Sequence, residues 1–195
     1  MDADAEVDGQ DVLRRRKLDV HEYHRMADAG ILHEDDRVEL IEGELIEMGG
    51  IGWDHASTVN GLNRALVLAC GMRAVVSVQN AVRLDEFNEP QPDFAVLKPR
   101  GPNGRALGPP GPSEVLLLVE VADSSLRFDR KVKLPLYARF GIPEVWIVDL
   151  KARVLQCYRV PRGSGYGDEK PYGAGDSIAL AADPEIVVAL REAFD

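Results

Sequence analysis

Long apolar runs are missing from this sequence, and no stretch approaches the about 20 residues that a membrane-spanning helix needs. Cysteine is scarce: there are two, Cys70 and Cys157, far apart and in no C-x-x-C pair. They read as two reduced thiols packed in the interior. No strand is followed by G-x-G-x-x-G, which argues against a Rossmann-type cofactor site. No G-x-S-x-G elbow is present, which argues against a serine hydrolase of that type. Positive charge is in deficit, with 23 Lys and Arg against 33 Asp and Glu and a net charge of −10. Tight, non-specific binding of duplex nucleic acid by a monomer needs a basic surface, so this balance counts against it. It does not exclude a nuclease, because metal-site carboxylates add negative charge of their own. Residues 1–10 are acidic and polar and do not read as a signal peptide, so a cytoplasmic location is expected.

What is there suits one compact domain of 195 residues, with 45% hydrophobic and 29% charged residues. Residues 1–16 are expected to form a flexible arm, acidic and then basic at Arg14, Arg15 and Arg16, and 17–195 a single domain. Asp19 is a plausible N-cap for a helix that Gly30 ends. His21 and His24 lie three apart on it, nothing in the segment completes a metal set with them, and they read as surface residues. Residues 37–48, RVELIEGELIEM, alternate apolar and charged about Gly43, as in a β-hairpin. Asp54 or Ser57 then caps a helix with Val59, Leu62 and Leu66 on one stripe, stopped by Gly71. Strands are expected over 73–84, 92–98 and 115–122, the last apolar on both faces and therefore central. A Pro/Gly-rich surface loop spans 99–113. Residues 126–140 form an amphipathic helix that Pro135 should kink. Strands over 144–150 and 153–160 follow, then a Gly-rich loop over 161–177 and a short strand or helical piece at the end. The central order is helix, strand, strand, strand, helix, strand. That is not simple βαβ alternation, and it predicts an α/β fold with a mixed α+β sheet.

Two acids stand in apolar surroundings. Asp93 opens the strand Phe94-Ala95-Val96-Leu97, and Glu120 lies inside Leu116-Leu117-Leu118-Val119-Glu120-Val121. A carboxylate in a buried strand is costly unless paired or bound to a cation. If the strands are neighbours, both acids can reach one ion, and Mg²⁺ favours one or two carboxylates completed by water and phosphate oxygens. Equally, Asp93 could cap a loop and Glu120 pair with an arginine. Helical spacing places Asp129, Lys133 and Tyr137 at i, i+4 and i+8 on one face. Gln79 lies on the strand before Asp93 and could face the same place.

Pro92-Asp93 followed by Glu120 in a strand, with this element order, resembles the PD-(D/E)XK nuclease superfamily. RVELIEGELIEM (37–48), PDFAVL (92–97), LLVEVADSS (117–125), Asp129 with Lys133 and Tyr137, and GIPEVWIVDL (141–150) are similar to the Uma-two family of restriction-endonuclease-like proteins, from about residue 18 onward. The resemblance implies a restriction-endonuclease-like core preceded by a helix and a hairpin. It implies a metal-dependent nuclease that hydrolyses phosphodiester bonds, with Asp93 and Glu120 holding Mg²⁺ or Mn²⁺. The usual lysine two residues after the second acid is replaced here by Ala122, and the family pattern moves that role to Lys133 on the next helix. Glu39 matches an accessory acid, Glu44 the last acid of the same pattern, and His55 a recurrent histidine at the start of the following helix. The expected partners are nucleic acid, DNA ahead of RNA, and a second copy of the chain in a homodimer, with no membrane. The alternative is a nuclease-fold protein that binds nucleic acid or a protein without cutting.

Overall fold

Local chemistry sets the first elements. In the computed structural model, which describes residues 15–33, 35–50, 52–101 and 108–194, Asp19 caps α1 (Val20–Asp28) and forms a reciprocal capping box with Glu22. The arm expected over 1–16 lies outside the described residues as far as residue 14, as does 102–107 of the surface loop. Arg15, at the edge of what is described, pairs with Glu44 and is exposed. His24 pairs with the buried Glu89, which also holds Arg83. A two-residue turn then joins β1 (Val38–Ile41) to β2 (Glu44–Glu47). Both its residues have positive φ, 53° at Glu42 and 78° at Gly43. That is the turn geometry that matches the twist of an antiparallel hairpin.

The long helix α2 (Trp53–Cys70) starts one residue before Asp54, with Gly52 at its N-cap and no side-chain cap. The expected cap at Asp54 or Ser57 is thus displaced, and both residues lie inside the helix. Six strands form the central sheet in the order β3-β4-β5-β6-β7-β8. They are β3 (Val75–Val78), β4 (Phe94–Leu97), β5 (Val115–Ala122), β6 (Glu144–Asp149), β7 (Val154–Arg162) and β8 (Gly165–Tyr172). Only β5 and β6 are parallel; every other neighbouring pair is antiparallel. The crossover between them runs through α3 (Leu126–Phe128), a π-turn (Asp129–Lys133) and α4 (Leu134–Arg139). Pro135 supplies no N–H to the ladder, and the wide turn ahead of it, in which Leu134 N donates to Asp129 O, absorbs the kink. A small hairpin, β9 (Ser177–Ala179) with β10 (Val187–Ala189), and α5 (Arg191–Phe194) end the described chain.

Apolar side chains of the central strands fill both faces of the sheet. On one face Phe94, Val119 and Trp146 meet Val59, Leu62 and Leu66 of α2 and Ile178 and Val188 of the C-terminal hairpin. On the other, Ala95, Leu118 and Ile147 meet Leu136 and Tyr137 of α4 and Ile41 of the first hairpin. Cys70 and Cys157 are buried free thiols. Glu144, fully buried at the start of β6, accepts hydrogen bonds from Trp146 Nε1 (2.6 Å), Arg159 (2.8 Å) and the backbone N of Ala181 (2.7 Å). Arg159 also donates to Ala179 O, which ties the C-terminal hairpin to the sheet.

The element order expected from sequence holds, and the chain has the expected mixed α+β fold with a central mixed sheet. Besides the displaced cap, two further expectations need correction. The strand over 73–84 stops at Val78, because Gln79 turns to φ 51° and the Asn80 side chain takes the Val78 carbonyl. Val82 and Leu84 are still buried, so their alternation reflects packing of an irregular segment. The expected Gly-rich loop over 161–177 contains β8, paired to β7 through a turn at Gly163. Its residues, GYGDEKPY, are mostly exposed, so no apolar alternation announced it.

Candidate functional site

Five buried polar side chains from four segments meet at the carboxyl end of β5. Glu39 comes from β1, Asp93 from the start of β4, Glu120 from β5, and Lys133 and Tyr137 from the crossover helix; Glu39, Glu120, Lys133 and Tyr137 are each at most 4% exposed and Asp93 8%. Alternation along β5 decides their side of the sheet: Leu118, Glu120 and Ala122 face the crossover helix, while Val119 and Val121 face α2. Lys133 Nζ donates to Glu39 Oε1 at 2.9 Å and to Glu120 Oε2 at 3.3 Å. Tyr137 OH donates to Glu120 Oε1 at 2.5 Å. Glu120 therefore pairs with a lysine and a tyrosine, not with an arginine.

Asp93 is held differently. Its Oδ2 accepts from the backbone N of Val121 at 2.8 Å, just past Val119, the last residue of β5 paired with β4. Its Oδ1 faces His55 Nε2 and Gln79 Nε2, each at 3.2 Å. The backbone N of Gln79 donates to Asp93 O, so the left-handed Gln79 is fastened to Asp93 twice. Gln91 bridges the halves of the site: its backbone N donates to Glu39 Oε1 at 3.1 Å. Asp129 is buried behind them, with Ser125 Oγ donating to its Oδ2 at 2.6 Å.

Four carboxylates around one ammonium leave this region strongly negative. Burial raises the pKa of Glu120 well above the usual carboxylate value. The charges of Asp129, Glu39 and Asp93 add to that, and Lys133 opposes it. Burial raises Asp129 as well, against the pull of Lys133 and Ser125. For Lys133 burial alone would favour the neutral amine, but Glu120, Glu39 and Asp129 outweigh it and the ammonium is held above its ordinary value. Burial followed by the neighbouring acids keeps the Tyr137 phenol protonated well beyond its usual range. Asp93 goes the other way: burial raises it, yet the His55 contact and the donors Val121 N and Gln79 bring it below its ordinary value.

A cleft of about 60 Å³ opens onto this cluster, and His55, Gln91, Asp93, Glu120, Asp123 and Arg37 are among its lining residues. Lys133, Glu39 and Tyr137 do not line it; they stand behind Glu120. Of the residues picked from sequence, Asp93, Glu120, Glu39, Lys133, His55, Tyr137, Gln79 and Asp129 converge. Glu44 does not: it sits beside the hairpin turn, exposed, and pairs with Arg15. Gln91 and Arg37 escaped the sequence reading. Pro90 and Pro92 on either side of Gln91 were the available signal, since they hold the segment extended.

The donor set suits a hard cation. Carboxylate oxygens are the preferred ligands of Mg²⁺ and Mn²⁺, and buried Glu39 Oε2 has no hydrogen-bond partner. No group of three or more His, Cys, Asp or Glu converges at ligating distance among the described residues. Two carboxylates are sufficient for Mg²⁺, which keeps several of its waters.

The mixed sheet and its flanking helices form a restriction-endonuclease-like fold. The chain belongs to the Uma2 family, described as "Putative restriction endonuclease", whose model matches residues 20–191. Its fold is similar to the crystal structure of a "putative nuclease belonging to DUF820" from Anabaena variabilis, with a TM-score of 0.67 at 14% identity, covering 91% of this chain and 97% of that one. No curated protein matches it. No helix among the described residues is long and apolar enough to cross a membrane.

Proposed function

We propose that this protein is a metal-dependent nuclease that hydrolyses phosphodiester bonds of nucleic acid in the cleft beside Asp93 and Glu120. The observation that carries this reading is the position of Glu120: a buried strand carboxylate, braced by Lys133 and Tyr137, that still faces a cleft shared with Asp93. Asp93 and Glu120 would hold Mg²⁺ or Mn²⁺, and Glu39 would support it with its unpartnered Oε2. When bound, such an ion polarises the phosphate and makes a bound water a better nucleophile.

The chain's own residues do the rest. Water attacks phosphorus and gives up a proton, the bond from phosphorus to the leaving oxygen breaks, and that oxygen takes up a proton. His55, which lines the cleft with its Nε2 against Asp93 Oδ1, assists the passage of the attacking water's proton to solvent. Lys133 is a positioning residue. Its ammonium fixes Glu39 and Glu120 against each other and offsets part of their repulsion. Arg37 and Gln91, on the cleft wall, bind and orient the phosphodiester. The reading extends to a cytoplasmic homodimer that acts on DNA ahead of RNA. Two free buried thiols suit a reducing compartment, and two-fold dimers are the commonest assembly.

The test is cleavage of single- and double-stranded DNA and RNA with Mg²⁺ or Mn²⁺ against EDTA. Cleavage should need the metal and disappear in Asp93→Asn and Glu120→Gln; cleavage that survives both substitutions overturns the assignment. The second reading, a nuclease fold that binds without cutting, is favoured by Lys133 already occupying both Glu39 and Glu120. It predicts no heat of Mg²⁺ or Mn²⁺ binding at millimolar metal.

A further inference from the structure

A second cavity lies beside the catalytic cleft and has no part in the chemistry above. Its volume is about 340 Å³, and Asp54, Ser57, Asp123, Lys151 and Arg153 are among the residues that line it. Asp123 lines both cavities, so they adjoin at that side chain. The parallel pairing of β5 with β6 explains the adjacency. Ala122 stands opposite Asp149, so the chain leaving β5 and the chain leaving β6 emerge on the same edge of the sheet. Lys151 Nζ lies 3.7 Å from Asp123 and its side chain is largely exposed. Arg153 donates to Phe194 O and forms part of the wall.

Trp53 adjoins this junction along the chain and shares a helix face with Ser57, four residues on, which lines the second cavity. It is the first residue of α2, between Gly52, which lines the catalytic cleft, and Asp54, which lines the second cavity. It is 84% exposed. An indole left in water next to residues that line a polar cavity is a flat, rigid surface for a planar partner.

We propose that Trp53 and the second cavity form a subsite for an unpaired nucleotide next to the scissile bond, so that the substrate is a single strand. This rests on the nuclease reading and names its substrate class. A base stacks on Trp53, and Lys151 meets the adjoining backbone phosphate. Stacking on an aromatic side chain is sequence-tolerant and needs a base face that a duplex keeps hidden. Duplex binding relies instead on an extended row of cations along the backbone, and a chain of net charge −10 is poorly suited to it.

Tryptophan fluorescence tests the proposal, because the only other tryptophan, Trp146, is fully buried. The wild-type protein is titrated with a 12-nucleotide single strand and with the matching duplex, in EDTA and again in Ca²⁺. The single strand should quench the emission and bind more tightly than the duplex. In Trp53→Ala, anisotropy of the labelled strand should show affinity roughly ten-fold or more weaker, as expected for losing one stacked base. Lys151→Ala should lower the salt dependence of single-strand binding by about 0.7 in log–log slope, one phosphate contact. Equal affinity for the duplex, unchanged binding by Trp53→Ala, or no binding of either form overturns the proposal. Cleavage assays with Asp93→Asn and Glu120→Gln judge the nuclease reading separately, so the two can fail independently.

Discussion

Lys133 Nζ lies 2.9 Å from Glu39 Oε1, an ion pair with both side chains out of water that joins residues 94 positions apart. Its third member, Glu120 at 3.3 Å, makes one ammonium the neutralising centre for two acids. Burying such charges is repaid only while the set is complete.

Replacement of Lys133 by methionine should therefore cost about 3–5 kcal/mol of folding stability, the usual penalty for stranding a buried partner. Urea denaturation measures it. Millimolar Mg²⁺ should recover part of the loss, because a divalent ion binds the folded state and replaces the missing positive charge. An equal loss with and without Mg²⁺ would show that no ion reaches these carboxylates.

Tyr137→Phe removes the phenol that donates to Glu120 Oε1 while keeping its shape. An intramolecular hydrogen bond contributes about 0.5–1.5 kcal/mol net. The variant should lose that much in urea denaturation, without the greater loss expected of Lys133→Met.

The raised pKa of Glu120 has a definite sign in stability. The folded chain keeps a proton there at pH values where the unfolded chain, with a glutamate pKa of about 4.3, has released it. This stabilisation is complete below the unfolded value and is lost as pH rises through the folded one. Melting temperatures of the metal-free protein should fall as pH rises above the unfolded glutamate value of about 4.3, and Glu120→Gln should flatten the fall. Asp93, with its pKa lowered, acts in the opposite sense. Its contribution is present above the unfolded value of about 3.9 and is lost only as pH drops through its folded value.

Gly43→Ala tests the first hairpin, which carries Glu39. A Cβ on Gly43 would lie 2.6 Å from Cβ of Lys17, at a φ of 78° that L-residues rarely adopt. Left-handed strain of about 1–3 kcal/mol should appear as lower stability in thermal or urea unfolding.

The order of the central elements was legible because strongly apolar strands such as 115–122 and amphipathic helices such as 126–140 carry their burial in their periodicity. Asp93 and Glu120 were legible as acids in apolar company. The role of Lys133 was only half legible. Helical spacing put it on one face with Tyr137, and both do reach Glu120, but nothing in one dimension showed that Glu120 would stand between Lys133 and the cleft. Gln91 was invisible because it engages Glu39 through its backbone N, which any residue except proline would offer. Strand β8 was hidden for a related reason: an edge strand with little buried side chain is held by its ladder, and ladders leave no trace in composition.

The carboxylate of Glu144 sets a minimum length for the working chain. Two of its satisfying contacts depend on what lies beyond β8: the amide of Ala181 directly, and Arg159 through its second anchor at Ala179. A gene shortened before codon 179 would encode every residue that lines the cleft, the last of which is Ser125, yet leave a buried carboxylate short of a donor in the middle of the sheet. The small terminal hairpin is thus an obligate closing piece, and fragments chosen to isolate the cleft need to keep it.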